Sequence, residues 1–166
     1  MATTPTVNSS LIGANLTATG TTQLFALGTT VETTQGGHFE YVEATATQIT
    51  GKFVLITPTS TAFGVLTAKL TSGAIGYDIG VFQNLISQGE FGWVAKKGRN
   101  LYVLCTGTIT AGNSSCVGFG SGQSGILKSL PAVSNTLNGV WITTSISGGT
   151  QVTTATLQWP RGILHP

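Results

Sequence analysis

The sequence predicts an all-β domain preceded by an extended arm, and its composition is the first reason. Only 7% of the 166 residues are charged, against about 25% in an average soluble domain. Threonine, serine and glycine take their place. Threonine favours strands because its branched Cβ packs on a pleated surface. The 23 glycines supply the positive-φ positions that tight turns between short strands need.

The spacing of apolar runs is the second reason. Residues 23–160 form the predicted β domain, in which short apolar runs alternate with turn residues. The predicted strands are Leu24–Thr33, His38–Val42, Lys52–Thr57, Gly64–Leu70, Ile75–Phe82, Phe91–Ala95, Arg99–Thr106, Cys116–Gly120, Val140–Ser147 and Gln151–Trp159. This pattern predicts a single β-sandwich or β-barrel, jelly-roll-like or β-tulip-like in form. The best helix candidate, residues 82–86, is too short to change that class.

Three pairs of predicted strands are joined by turn signals typical of hairpins. Gln35-Gly36-Gly37 joins the first pair, and Gly148-Gly149 joins the last pair. In the middle of the chain, Lys97-Gly98 separates two apolar runs and predicts a third hairpin.

The N-terminal residues 1–22 form the predicted extended arm. They are rich in threonine, serine, asparagine and glycine, and they bury too little apolar surface to become ordered alone. Two interpretations stay open, a frayed terminus or an arm that becomes ordered on a neighbouring subunit. In the second interpretation, Leu11 and Ile12 anchor the arm.

The C-terminal residues 161–166 form a predicted tail. Pro160 cannot donate a ladder hydrogen bond, so the sheet is predicted to end there. The tail carries Ile163 and Leu164, which need to be covered. We predict that these two side chains and Trp159 contribute to an interface, whereas Trp93 packs in the core.

Residues for catalysis are sparse in this sequence. His38 could be oriented by Glu40, but no Gly-x-Ser-x-Gly elbow supplies a nucleophile. Glu32 and Glu40 are predicted to meet across the first hairpin as an exposed pair, which does not resemble a glycosidase site. We therefore predict no enzyme and no cofactor, and assign His38 to an interface.

The two cysteines, Cys105 and Cys116, also predict no metal site, because no zinc-binding spacing accompanies them. They are buried thiols or, alternatively, a disulfide across a hairpin. The glycine-rich stretch 118–125 lacks the lysine of a phosphate-binding loop, and is a flexible loop or one ordered at a subunit contact.

The charge distribution excludes two classes of partner. A net charge of +2 is too small for binding to nucleic acid or to an anionic membrane. No apolar run reaches the length of a membrane span, and the N-terminus lacks a signal-peptide pattern. The one basic cluster, Lys96, Lys97 and Arg99, is predicted at the tip of the middle hairpin. It is a solvated turn or a contact with an acidic patch on a partner.

Four short segments resemble a known group of proteins. They are Gly37–Ala44, Gly51–Val54, Ile79–Val81 and Gly89–Val94, and their order along the chain is similar to that in small virion proteins of tailed bacteriophages. The stretch that matches covers residues 24–105. Within that group, the chain most resembles the capsid decoration, or cement, proteins.

The resemblance implies a structural virion protein made in the host cytoplasm. It would sit on the outside of the capsid as a homotrimer and stabilise contacts between subunits of the major capsid protein. A surface so poor in charge agrees with this, because a free monomer lacks the charges that usually maintain solubility. The alternatives are a tail, fibre or host-surface module that binds a receptor or glycan.

Overall fold

The computed structural model describes residues 14–58, 63–67, 78–112, 117–119, 125–129 and 135–164. Every regular secondary-structure element in these ranges is a β-strand, so the predicted all-β class is confirmed. The strands are β1 Thr30–Glu32, β2 His38–Ala44, β3 Phe53–Pro58, β4 Phe63–Thr67, β5 Asp78–Phe82, β6 Phe91–Thr106, β7 Val117–Phe119, β8 Leu127–Ser129, β9 Asn135–Ile142 and β10 Thr150–Leu164. Residues 82–86 are not a helix, since Phe82 ends β5 and Ile86 forms a bridge with Gln48.

The strands form one sheet, which is not closed into a barrel. Its main path is β1-β2-β4-β3-β5-β6-β10-β9, and β7 and β8 join through a pairing of β8 with β6. Most pairs are antiparallel, whereas β2–β4 and β6–β8 are parallel. Strand β6 is central, because its first half pairs with β2 and β5 and its second half pairs with β10 and β8.

The two hairpins predicted from glycine pairs are confirmed. Strands β1 and β2 pair antiparallel around a turn in which Gly36 has a φ of 74°. Strands β9 and β10 also pair antiparallel, and Gly148 and Gly149 have φ values of 71° and 63° in their connection. These turns need the left-handed backbone that glycine adopts without steric cost.

The predicted hairpin at Lys97-Gly98 is wrong, because β6 runs unbroken through these residues. Lys97 pairs with His38 on β2 and also with Gln158 on β10. The strand therefore exchanges partners at this point and does not reverse. Further along, Asn100 takes a left-handed φ of 54° where the register with β10 shifts, so the irregular backbone absorbs a bulge.

The predicted end of the sheet at Pro160 is also wrong. Strand β10 continues to Leu164, so the first four residues of the predicted tail pair with β9. The register between β10 and β9 shifts between Leu157 and Arg161. Pro160 lies inside this bulge, where its missing N–H removes no ladder hydrogen bond.

Two hydrophobic cores lie on opposite faces of the central strands, since successive side chains of a strand point to opposite sides. The larger core contains the buried Trp93, whose ring contacts Phe25 and Tyr41 at centroid distances of 5.2 and 5.0 Å. The core position predicted for Trp93 is therefore confirmed. The smaller core consists of Val42, Ala44, Val54, Ile56, Phe82, Ile86 and Val94.

The described end of the predicted arm packs against the domain. Ala14 and Leu16 are each 3% exposed and belong to the larger core. Gly20 forms a bridge with Phe91 at the start of β6. Leu11 and Ile12 lie outside the described residues, so their anchoring role stays a prediction.

Cys105 is a free, fully buried thiol on β6. Burial raises its pKa to about 12, because removal from water disfavours the charged thiolate. Cys116 and residues 120–124 of the glycine-rich stretch lie outside the described residues.

We expect Cys105 to resist thiol reagents in the folded protein. A pKa raised from 9.0 to about 12 lowers the thiolate fraction near pH 8 by about a thousandfold, and burial blocks access as well. In a Cys116→Ser variant, which isolates this thiol, labelling should be negligible before unfolding and complete in denaturant. Equal labelling rates in both states would contradict the burial of Cys105.

Candidate functional site

Three ionisable side chains from three strands converge at one end of the smaller core. The Nζ atom of Lys96 on β6 donates hydrogen bonds to Oδ2 of Asp78 at 2.7 Å and to Oε2 of Glu40 at 2.8 Å. The Lys96 and Glu40 side chains are each 8% exposed, whereas the Asp78 side chain is 57% exposed. We call these three residues the lysine cluster.

Strand parity brings the lysine cluster together. Glu40 lies on the same face of β2 as Val42, and Lys96 lies on the same face of β6 as Val94. Asp78 shares a face of β5 with Phe82, which pairs with Val94. The three charged groups therefore form a polar layer beside the apolar side chains of the smaller core.

The electrostatics of the lysine cluster favour a charged lysine. Burial by itself lowers the pKa of Lys96, but hydrogen bonds and charge attraction from Asp78 and Glu40 more than offset it and raise the pKa above its usual 10.5. The resting cluster is thus an ammonium group between two carboxylates. Removing Lys96 would leave the buried carboxylate of Glu40 without a positive partner.

Trp159 covers the lysine cluster from β10. The Lys96 Nζ atom lies 5.5 Å from the centroid of the Trp159 ring, within range of a cation–π interaction. The ring also contacts His38, with a centroid distance of 4.6 Å. A small pocket beside it is lined by Asp78, Ile79, Lys96, Trp159, Pro160 and Arg161.

The bulge in β10 positions Trp159. This residue has a left-handed φ of 50°, which is unusual for a residue other than glycine. Residues 158–160 stand opposite Gly139 alone, since Leu157 pairs with Val140 and Arg161 pairs with Asn138. Gly139 makes this approach possible, because a Cβ atom there would lie 2.3 Å from the carbonyl oxygen of Gln158.

His38 is mostly buried beside the lysine cluster and does not form a catalytic arrangement. Its Nδ1 atom lies 3.6 Å from Oε1 of Glu32, too far for a hydrogen bond, and has no hydrogen-bond partner among the residues that the structure describes. The predicted exposed pair of Glu32 and Glu40 is wrong. Thr30 is the partner of Glu40 across the hairpin, and Glu40 turns inward to Lys96.

The structure divides the predicted basic cluster. Lys96 is buried in the lysine cluster, Lys97 is half-buried, and Arg99 is exposed. The prediction of a hairpin tip is wrong for all three residues, because they lie within β6. Alternation along a strand explains the different environments of Lys96 and Lys97.

The interface role predicted for Trp159, Ile163 and Leu164 stays a prediction. Trp159 is 41% exposed. Ile163 and Leu164 pair with Thr136 and Asn135 at the end of β10.

Besides Trp159, which the sequence predicts at an interface, the described residues include exposed large apolar side chains that sequence reasoning missed. They are Leu24, Ile49, Leu85, Trp141 and Val152. Ile49 and Leu85 stand next in sequence to Gln48 and Ile86, which form an antiparallel bridge. The bridge brings the two exposed side chains to the same part of the surface, and the local sequence carries no signal of this long-range pairing.

In the part of the chain that the structure describes, no group of three or more histidine, cysteine, aspartate or glutamate side chains is placed to hold a metal ion. Nor does any helix in these ranges have the length and apolar character to cross a bilayer.

A solved phage structure shares this fold. The head fiber gp8.5 N base of bacteriophage phi29 superposes with a TM-score of 0.50 at 14% sequence identity. The match covers 76% of this chain and 98% of the phage chain. No protein-family model matches the sequence, and no curated protein matches it.

Proposed function

We propose that the chain is a structural protein of a bacteriophage virion that binds the outside of the capsid. The observation that carries this proposal is the fold shared with a head fiber base over 98% of that chain. The segments that resemble decoration proteins lie mainly on β2, β3, β5 and β6, which are joined in the sheet by the pairings β2–β6, β3–β5 and β5–β6. The likeness to a structural head protein also supports the expectation that the chain is not an enzyme.

The surface supports a role in assembly. Charged residues make up only 7% of the sequence, and six large apolar side chains in the described part of the chain are more than a third exposed. Exposed apolar groups such as Ile49 and Leu85 commonly mark contacts with other proteins. Burying them against a neighbour contributes about 25 cal/mol per Å² of apolar surface.

The finer proposal is a cement protein, bound as a homotrimer across neighbouring subunits of the major capsid protein. Each contact can then be weak, since several linked contacts act together and raise the overall affinity. In this proposal, Trp159 and the end of β10 contact the shell or a second copy. The N-terminal arm extends onto the neighbouring subunit.

A second candidate is a fiber base or host-surface module. The solved structure with the same fold is itself described as the base of a head fiber. Trp141 and Trp159 are 37% and 41% exposed, and exposed tryptophans suit binding to a receptor or glycan. In this candidate the protein is also bound to the head, but its function lies in the surface that points away from the capsid and binds a receptor or glycan.

Sedimentation of the purified chain with phage heads that lack it tests both candidates. Co-sedimentation with heads, together with greater resistance of those heads to heat, supports the cement proposal. Co-sedimentation without any gain in head stability favours the fiber base. Binding to host cells and not to heads overturns the capsid proposal.

We expect deletion of residues 1–13 to weaken binding to heads at least about tenfold while leaving the fold intact, because an arm that wraps a neighbour adds a second contact. The deletion stops before Ala14 and Leu16, which are buried in the larger core. A matched control replaces residues 1–10 with a glycine-serine segment and keeps Leu11 and Ile12. If the deletion binds as tightly as the full chain, the arm has no such role.

A further inference from the structure

We propose that the Nζ atom of Lys96 and the side-chain carboxyl group of Asp78 condense into an amide bond that joins β6 to β5. Glu40 carries one of the two protons that leave the Lys96 nitrogen to the departing hydroxyl group. The proposal concerns the folded chain alone, and its outcome does not depend on where the protein binds.

The geometry places the reacting groups in contact before any reaction. The amine nitrogen of Lys96 lies 2.7 Å from Oδ2 of Asp78 and 2.8 Å from Oε2 of Glu40. All three side chains extend from a paired sheet, in which β6 pairs with both β2 and β5. Groups held in this way react with effective concentrations far above those of free molecules.

The reaction balances without an outside reagent. A proton first moves from the Lys96 ammonium to Asp78, which gives a neutral amine and a carboxylic acid. The amine nitrogen attacks the carboxyl carbon of Asp78, and Glu40 accepts the second proton from that nitrogen. Glu40 then returns this proton to the departing hydroxyl group, so the C–O bond breaks, one water leaves and Glu40 is a carboxylate again.

Burial favours loss of the charge on Lys96. The resting lysine cluster holds two mostly buried charges, on Lys96 and Glu40, which are costly to remove from water. Amide formation neutralises Lys96 together with Asp78, and a hydrogen bond donated by the new amide N–H to Glu40 offsets part of the cost of leaving that carboxylate without a positive partner. The Trp159 ring over Lys96 restricts access of bulk water to the nitrogen.

Asp78, and not Glu40, is the acceptor in this proposal. The Asp78 side chain is 57% exposed, so the water that is released has a route to solvent. The Glu40 side chain is 8% exposed, so the proton that it accepts from the nitrogen is passed to the leaving hydroxyl group and is not lost to solvent. Because the charged form of Lys96 is favoured at rest, we expect bond formation to be slow compared with folding.

Mass spectrometry of the intact, fully folded chain tests the proposal directly. We expect aged protein to be lighter than its sequence by one water molecule, and Lys96→Arg protein to show no loss. Asp78→Asn protein should lose ammonia in place of water, because the leaving group is then an amide nitrogen. Glu40→Gln protein should lose water far more slowly, with its fold checked by circular dichroism.

Digestion of the wild-type chain gives a readout that does not depend on any variant folding. Cleavage after Glu90 separates Asp78 from Lys96 along the chain, so the two fragments stay joined in denaturant only if the bond exists. Fragments joined through Asp78 support the proposal. Separate fragments with unchanged mass overturn it, and fragments joined through Glu40 overturn the assignment of Asp78.

Discussion

Replacement of Gly139 by alanine is expected to lower the free energy of unfolding by more than about 3 kcal/mol. A Cβ atom at this position would lie 2.3 Å from the carbonyl oxygen of Gln158 and 3.2 Å from that of Trp159. Both contacts are with backbone, so β9 and β10 must separate for the side chain to fit. The bulge that presents Trp159 to the lysine cluster should be lost with it.

Gly89 provides the matched control for this prediction. Its φ of 79° equals that of Gly139, but a Cβ atom there would meet no atom of the described residues within 4 Å. Gly89→Ala should therefore show only the cost of a left-handed alanine, about 1–2 kcal/mol. Urea unfolding of the two variants measures the difference. Equal losses would mean that β10 does not approach β9 as closely as described.

Replacement of Lys96 by methionine is the second large effect, with an expected loss of about 3–5 kcal/mol. The substitution leaves Glu40 as a buried carboxylate without its positive partner. Asp78 contributes less to the loss because its side chain is 57% exposed and water can solvate it. Thermal and urea unfolding at neutral pH measure the change.

Two further variants separate charge from packing in this prediction. Adding Glu40→Gln to Lys96→Met removes the unpaired charge and should recover a large part of the lost stability. Lys97→Met changes the half-buried neighbour, for which no ion pair is found in the described residues, and should cost less than about 1 kcal/mol. Equal losses for the Lys96 and Lys97 variants would contradict the importance of the cluster.

Local turn chemistry explains why part of the fold could be predicted. The glycine pairs of the first and last hairpins act within a few residues, so Gly36 and Gly148-Gly149 reveal the reversals from sequence alone. The all-β class follows from composition in the same way. Lys97-Gly98 carries a similar local turn signal, yet β6 continues through it because the strand changes partners from β2 to β10. That exchange depends on strands distant in the sequence, which no local pattern records.

The lysine cluster could not be predicted for a similar reason. Strand alternation predicts that Glu40 and Glu43 point to opposite faces of their strand. The local sequence does not show that Glu40 is the inward one, or that Asp78 lies beside Lys96. Their meeting depends on β6 pairing with both β2 and β5. The end of the sheet predicted at Pro160 is wrong for the converse reason. Proline ends a regular ladder because it cannot donate a hydrogen bond, but Pro160 lies inside a bulge, where no ladder hydrogen bond is needed.

The central position of β6 has a consequence for how the protein fails. One strand supplies Val94 to the smaller core and Trp93, Leu101 and Cys105 to the larger core. Unfolding of either core therefore removes part of the packing of the other, so we expect few stable partly unfolded states. Limited proteolysis should then leave the folded chain intact or degrade it fully, with few large intermediate fragments.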